Sequence, residues 1–259
     1  MPLRFWRMNL ESWLKKRDRL FRDRLFINVA ENIRRDRLKN YSLFDIMGPI
    51  MIGPSSSHTA GACRIARVAR KILGKDFIKV EFYLHGSFAE TYLGHGTDKA
   101  LVAGALGLDI DDSDLKNSFK IARERGIDFE FIKTDLGEDV HPNSVKIIFY
   151  YPNGREAMAI GCSIGGGNII MTNIDGIEFE YTNEFPTILL KYREQTGVIA
   201  FVSSILSEHG YNIERMTTSK EQDMVTLIVE LTEELDEENK KSILESDKFE
   251  VAKYLERAY

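Results

Sequence analysis

A chain of 259 residues, 43% hydrophobic and 29% charged, has the composition of a globular protein and the length for two modest domains. Its formal charge of −5, with no basic and aromatic patch outside the N-terminal segment, argues against a nucleic-acid partner, and no apolar run approaches the roughly 20 residues of a membrane span. Its two cysteines, Cys63 and Cys162, fit no Cys-x-x-Cys metal motif and are too few for an iron–sulfur cluster; buried, inert thiols are expected.

Residues 1–40 hold 12 Lys and Arg against 5 Asp and Glu, a charge of +7, so the remaining residues carry −12. Leu10, Trp13, Leu14, Phe21, Leu25, Val29 and Ile33 recur near helical spacing among these cations. Two readings are open: a basic amphipathic helix that attaches to an acidic membrane or protein surface, or a poorly ordered leader ahead of the true start. With no apolar signal-peptide core, the expected location is cytoplasmic.

Gly48-Pro49 and Gly53-Pro54 bracket Ile50-Met51-Ile52, which predicts a fixed loop ahead of a helix starting near Ala62. Ser55, Ser56, Ser57, His58 and Thr59 stand at that helix start. Hydroxyls there cap the helix, its free amides attract an anion, and His58 adds a proton donor or acceptor near neutral pH. The plainer reading is that the serines only cap and His58 is a satisfied loop residue. Ile65, Val68, Ala69 and Ile72 give the helix one apolar face, with Arg64, Arg67, Arg70 and Lys71 on a solvated one.

Residues 78–84 alternate as a strand. The segment 85–100 follows and contains Gly94-His95-Gly96-Thr97-Asp98, in which the glycines permit close backbone approach to a ligand and Thr97 or Asp98 caps an apolar helix over 100–108. A short helix is expected over 115–125 and strands over 128–133 and 144–151, the two strands separated by a turn carrying His141-Pro142-Asn143. Asn153-Gly154 predicts a hairpin into a strand over 157–162. The glycine turn Gly165-Gly166-Gly167-Asn168 leads to another strand and matches neither nucleotide-binding glycine motif. From residue 185 the pattern becomes strand (187–190), helix (197–210), strands (212–218 and 224–231), helix (237–246) and a last strand near 249–252, the split βαβ order. No segment repeats internally.

The stretch Gly53-Pro54-Ser55-Ser56-Ser57-His58-Thr59-Ala60-Gly61 resembles the signature of the iron–sulfur L-serine dehydratases, and Gly94-His95-Gly96-Thr97-Asp98 resembles that family's second shared segment. The likeness covers roughly Tyr41 to the end. It implies an α+β fold: a serine dehydratase β domain over residues 41–184, similar to the allosteric-substrate-binding module of some 3-phosphoglycerate dehydrogenases, followed by an ACT-like βαββαβ domain over 185–259. It also implies the β subunit of a two-chain lyase of amino-acid degradation that converts L-serine to pyruvate and ammonia. Such a chain is active only with an α subunit whose cysteines hold a 4Fe-4S cluster; this chain supplies no metal ligand.

On the same likeness His58 is catalytic, Ser55, Ser56, Ser57, Thr59, His95, Thr97 and Asp98 bind substrate, and His141, Asn143, Gly165, Gly166, Gly167 and Asn168 form a regulatory set. Thr196-Gly197 stands where most ACT relatives carry Pro-Gly, and the usual preceding Asp is missing, so that unit is expected to serve subunit packing. Further oligomerisation is expected, with no nucleic acid or membrane as partner. The competing reading is a purely regulatory, amino-acid-binding subunit resembling the regulatory region of 3-phosphoglycerate dehydrogenase.

Overall fold

Val80, Phe82 and Leu84 alternate with Lys79, Glu81 and Tyr83, which commits β1 (Lys79–Leu84) to one apolar face. The computed structural model describes residues 50–257, so the basic segment 1–40 and the Gly48-Pro49 pair lie outside the described residues. Around β1 the chain builds a six-stranded sheet with β2 (Asp128–Lys133), β3 (Ser144–Tyr150), β4 (Glu156–Gly165), β5 (Asn168–Ile174) and β6 (Ile177–Tyr181), in the order β2-β1-β3-β4-β5-β6. β1 and β2 are parallel and every other pairing is antiparallel. Val145, Ile147 and Phe149 of β3 continue the buried face.

Helices α1 (Ala62–Leu73), α2 (Gly86–Thr91), α3 (Thr97–Leu106) and α4 (Ser118–Glu124) follow one another between the serine segment and β2, apart from β1 itself. The expected apolar face of α1 is present: Ile65, Val68 and Ala69 are buried in the core with Phe82, Leu84 and Phe149. Every residue of α3 except Lys99 is buried, because Ala and Gly on this helix let it press against α1. The expected helix over 115–125 divides into a 3-10 turn, Ser113–Asn117, and α4. α2 has no counterpart in the sequence reading.

The hairpin at Asn153-Gly154 exists, but its turn is centred on Pro152-Asn153: the Gly154 amide donates to the Tyr151 carbonyl at 3.0 Å, and Gly154 takes the left-handed conformation (φ +80). β6 is additional to the strands expected. Asp175 (φ +50) and Gly176 (φ +82) make the tight turn that closes it onto β5, a dipeptide whose hairpin meaning was readable.

A second, four-stranded antiparallel sheet contains β7 (Thr187–Arg193), β8 (Ile213–Glu221), β9 (Met224–Leu231) and β10 (Val251–Leu255), in the order β10-β7-β9-β8. With α5 (Val198–Glu208) and α6 (Glu237–Leu244) this is the ACT-like split βαβ arrangement read from the sequence. Val198, Val202 and Leu206 of α5 pack with Ile188, Leu190 and Leu227 in its core. Leu189 and Leu255 instead join the core of the first sheet, and Lys253 reaches Asp175 at 2.7 Å. Among the described residues, no helix is long and apolar enough to cross a membrane.

Candidate functional site

The serine segment is helical earlier than its sequence suggests. Ser55 is extended (φ −143, ψ 125) and its Oγ accepts the His58 amide at 3.0 Å, which starts a π-helical turn over Ser56–Gly61 running directly into α1. The Ser55 carbonyl accepts from the Thr59 amide at 2.9 Å and the Ala60 amide at 3.4 Å, the wider spacing being the mark of that turn. A fixed loop up to Ala62 was expected; the hydroxyls instead occupy the first turn itself. Serine is a weak helix former, but one serine side chain at the cap supplies the acceptor that the turn requires.

Three contacts seat this turn. Thr59 is 1% exposed and its Oγ1 donates to the His95 carbonyl at 2.9 Å, so this hydroxyl positions the His95 turn. Gly61 lies against Ser163 of β4 so closely that a Cβ there would sit 2.1 Å from Ser163 Oγ. Arg64 Nη1 donates to the Gly167 carbonyl at 2.8 Å, tying α1 to the glycine turn, in which Gly165, Gly166 and Gly167 all have positive φ.

His58 therefore projects from a fixed turn. Its Nε2 lies 3.0 Å from Ser87 Oγ on α2. Its ring meets His95 edge-on at 4.9 Å between centroids and Phe88 at 5.2 Å. Burial pushes the imidazole below its ordinary pKa, and the neighbouring His95 adds to the shift, so His58 is neutral at neutral pH. Ser56 and Ser57 are partly exposed, and their side chains make no hydrogen bond among the described residues. His95 is exposed, with its ring against His58. These groups offer one neutral imidazole, a second histidine ring 4.9 Å away, and hydroxyls at a helix start.

Thr97 and Asp98 lie just beyond the His95 turn. Both are buried in the first turn of α3, whose cap is Gly96 in the left-handed conformation with no side-chain cap. Asp98 Oδ1 accepts from the Lys99 amide at 2.8 Å, burial pushes its carboxyl above the usual range, and neither residue is hydrogen-bonded to the His58 group.

The His141-Pro142-Asn143 turn comes to the same end of the sheet. The Pro142 carbonyl accepts from the Phe88 amide at 3.5 Å, the Asn143 carbonyl from the Ser163 amide at 3.0 Å, and His141 Nδ1 from the Asn143 amide at 3.1 Å. Residues expected to form separate substrate and regulatory sets thus share one framework, through Phe88 on one side and Ser163 on the other. Ser87 and Phe88 were not singled out in the sequence, and Arg64, expected on a solvated face, is half-buried with its guanidinium on Gly167. The available signal was a Ser two residues beyond His85 at the C-terminal end of β1, where a sheet positions side chains well.

The loops that carry these residues also expose large apolar side chains. Ile50 is 88% exposed and Ile52 36% just ahead of the serine turn, Leu93 71% just ahead of the His95 turn, and Ile164 38% at the end of β4 before the glycine turn. Among the described residues, no group of three or more His, Cys, Asp or Glu is placed to hold a metal ion. Cys63 is buried, donates its thiol to the Leu108 carbonyl, and is pushed up to about 12, while Cys162 is buried in β4. Two cysteines on separate elements are too few for a cluster that takes three or four thiolates.

The family model described as serine dehydratase beta chain matches residues 42–173. The L-serine dehydratase beta chain of Peptoniphilus asaccharolyticus is 53% identical over 221 residues, covering 85% of this chain and 100% of that protein. The probable L-serine dehydratase beta chain of Bacillus subtilis is 41% identical over 202 residues, 77% of this chain and 91% of that protein. The L-serine dehydratase of Streptomyces coelicolor is 30% identical over 179 residues, 60% of this chain but 38% of its own longer sequence.

Proposed function

The chain belongs to the serine dehydratase beta chain family, and from that premise we propose that it is the β subunit of a two-chain enzyme that deaminates L-serine to pyruvate and ammonia, with a partner α chain carrying the 4Fe-4S cluster. The observation that carries this reading is a neutral imidazole, His58, held 3.0 Å from Ser87 on a turn whose Ser56 and Ser57 hydroxyls are unengaged among the described residues. Exposed Ile50, Ile52 and Leu93 on the segments leading into the serine and His95 turns suit coverage by another chain, and water exclusion strengthens every polar interaction beneath such a cover.

The elimination removes the substrate's Cα proton and its β-hydroxyl together as water, and the aminoacrylate left behind tautomerises to an imine whose hydrolysis gives pyruvate and ammonia. Neutral His58 is the proton-transfer group, Ser56 and Ser57 hold the substrate carboxylate through their hydroxyls and backbone amides, and exposed His95 contacts the substrate as well. Thr59, Gly61 and Arg64 keep that turn in register with the His95 and glycine turns.

The assignment of the cluster to the partner is tested by anaerobic reconstitution of this chain alone with iron and sulfide. The expected product is colourless, because Cys63 and Cys162 are both buried on separate elements. A stoichiometric cluster absorbance on the isolated chain contradicts the assignment.

A further inference from the structure

We propose that Ser87 is a positioning residue for the reaction: its Oγ accepts the Nε2–H of His58 and so holds the tautomer in which Nδ1 carries the lone pair offered to substrate. This rests on the reading of His58 as the proton-transfer group. Nε2 and Ser87 Oγ are 3.0 Å apart, and Nδ1 has no hydrogen-bond partner among the described residues. If the serine donated to Nε2 instead, the ring proton would sit on Nδ1, unpaired in a partly buried site and unable to act as a base. A hydroxyl can rotate its own proton toward solvent or substrate; a ring N–H cannot rotate.

The protonated state decides the direction further. Once Nδ1 takes a proton, the imidazolium has no lone pair on either nitrogen. A serine acting as acceptor keeps its bond to Nε2–H and strengthens it, whereas a donating serine must break contact at the moment of transfer. Acceptance therefore holds the ring through both halves of the cycle. Ser87 is itself anchored, since its carbonyl accepts Thr91 Oγ1 at 2.7 Å on α2, and Phe88 and His95 confine the ring from two further sides. His95 is the titratable group that faces His58 across this contact.

The test uses the complete α/β enzyme. Ser87→Ala is expected to lower kcat about 10-fold with serine KM changed less than about 2-fold, the scale of losing a second-layer hydrogen bond. Removing an acceptor from the charged form lowers the His58 pKa, so the acid limb of kcat/KM moves to lower pH, a shift that loosened packing does not produce. Ser87→Thr keeps a hydroxyl and is expected to restore the limb and most of kcat, which covers the case of a poorly folding alanine variant. In a His58→Ala background, Ser87→Ala is expected to cost nothing further. A Ser87→Ala enzyme with native kcat and an unmoved limb, or a further 10-fold loss in the double variant, overturns the role of Ser87 while leaving His58 in place. Native turnover by His58→Ala overturns the reading of the site and this inference with it.

Discussion

His58→Ala is expected to reduce kcat of the assembled enzyme about 10²-fold or more, the usual scale for a positioned acid or base, with a smaller change in serine KM. The expectation follows from the ring's confinement: a π-helical turn capped by Ser55 fixes its backbone, and Ser87, Phe88 and His95 fix its plane. Its pH dependence has a defined sign. Burial lowers the folded-state pKa below the ordinary 6.5, so the neutral base survives below that pH and the acid limb of kcat/KM has its midpoint on the acid side of 6.5. The same shift enters folding: stability from His58 is present above its unfolded pKa and is lost as pH falls through the folded one, because the unfolded state takes up the proton first. A His58→Ala enzyme with native maximal rate but altered cooperativity or half-saturation supports the regulatory reading over the catalytic one.

Gly104→Ala is expected to be the most destabilising single methyl that the structure identifies. A Cβ at Gly104 of α3 would lie 2.1 Å from the Cys63 carbonyl oxygen and 2.9 Å from the Arg67 amide nitrogen on α1. Both are backbone atoms inside a helix, so neither yields as a side chain would, and the two helices must move apart. They form the layer over the six-stranded sheet, and α1 is continuous with the His58 turn. The cost is about 3 kcal/mol, the upper part of the usual range for overpacking. For a protein of this size that lowers Tm by about 6–12 °C. A thermal scan of the purified chain checks it. An unchanged Tm contradicts the close approach of α1 and α3.

Much of the fold was legible because it rests on local periodicity. β1 follows from alternation, β7 from a short apolar run, and α1 and α5 from apolar spacing ended by Gly74 and Gly210. The serine turn was harder. Residues that disfavour a helix interior occupy its start, and nothing in Ser-Ser-Ser-His-Thr distinguishes a loop from a turn whose first serine caps it. Partnerships across the fold were invisible. The bond from His58 to Ser87, the seat of Gly61 on Ser163 and the tie from Arg64 to Gly167 join residues whose proximity depends on where α1 lies against the sheet. For the same reason His141 and Asn143 read as a separate regulatory set, although their turn shares Ser163 and Phe88 with the His58 framework.

Serine turnover by this chain alone, by its α partner alone and by the anaerobically mixed pair tests the central claim most directly. The account predicts pyruvate and ammonia from the mixture only, since the proposed assembly divides the His58 site and the cluster between the two chains. Full turnover by the α chain alone, or by this chain alone, contradicts it.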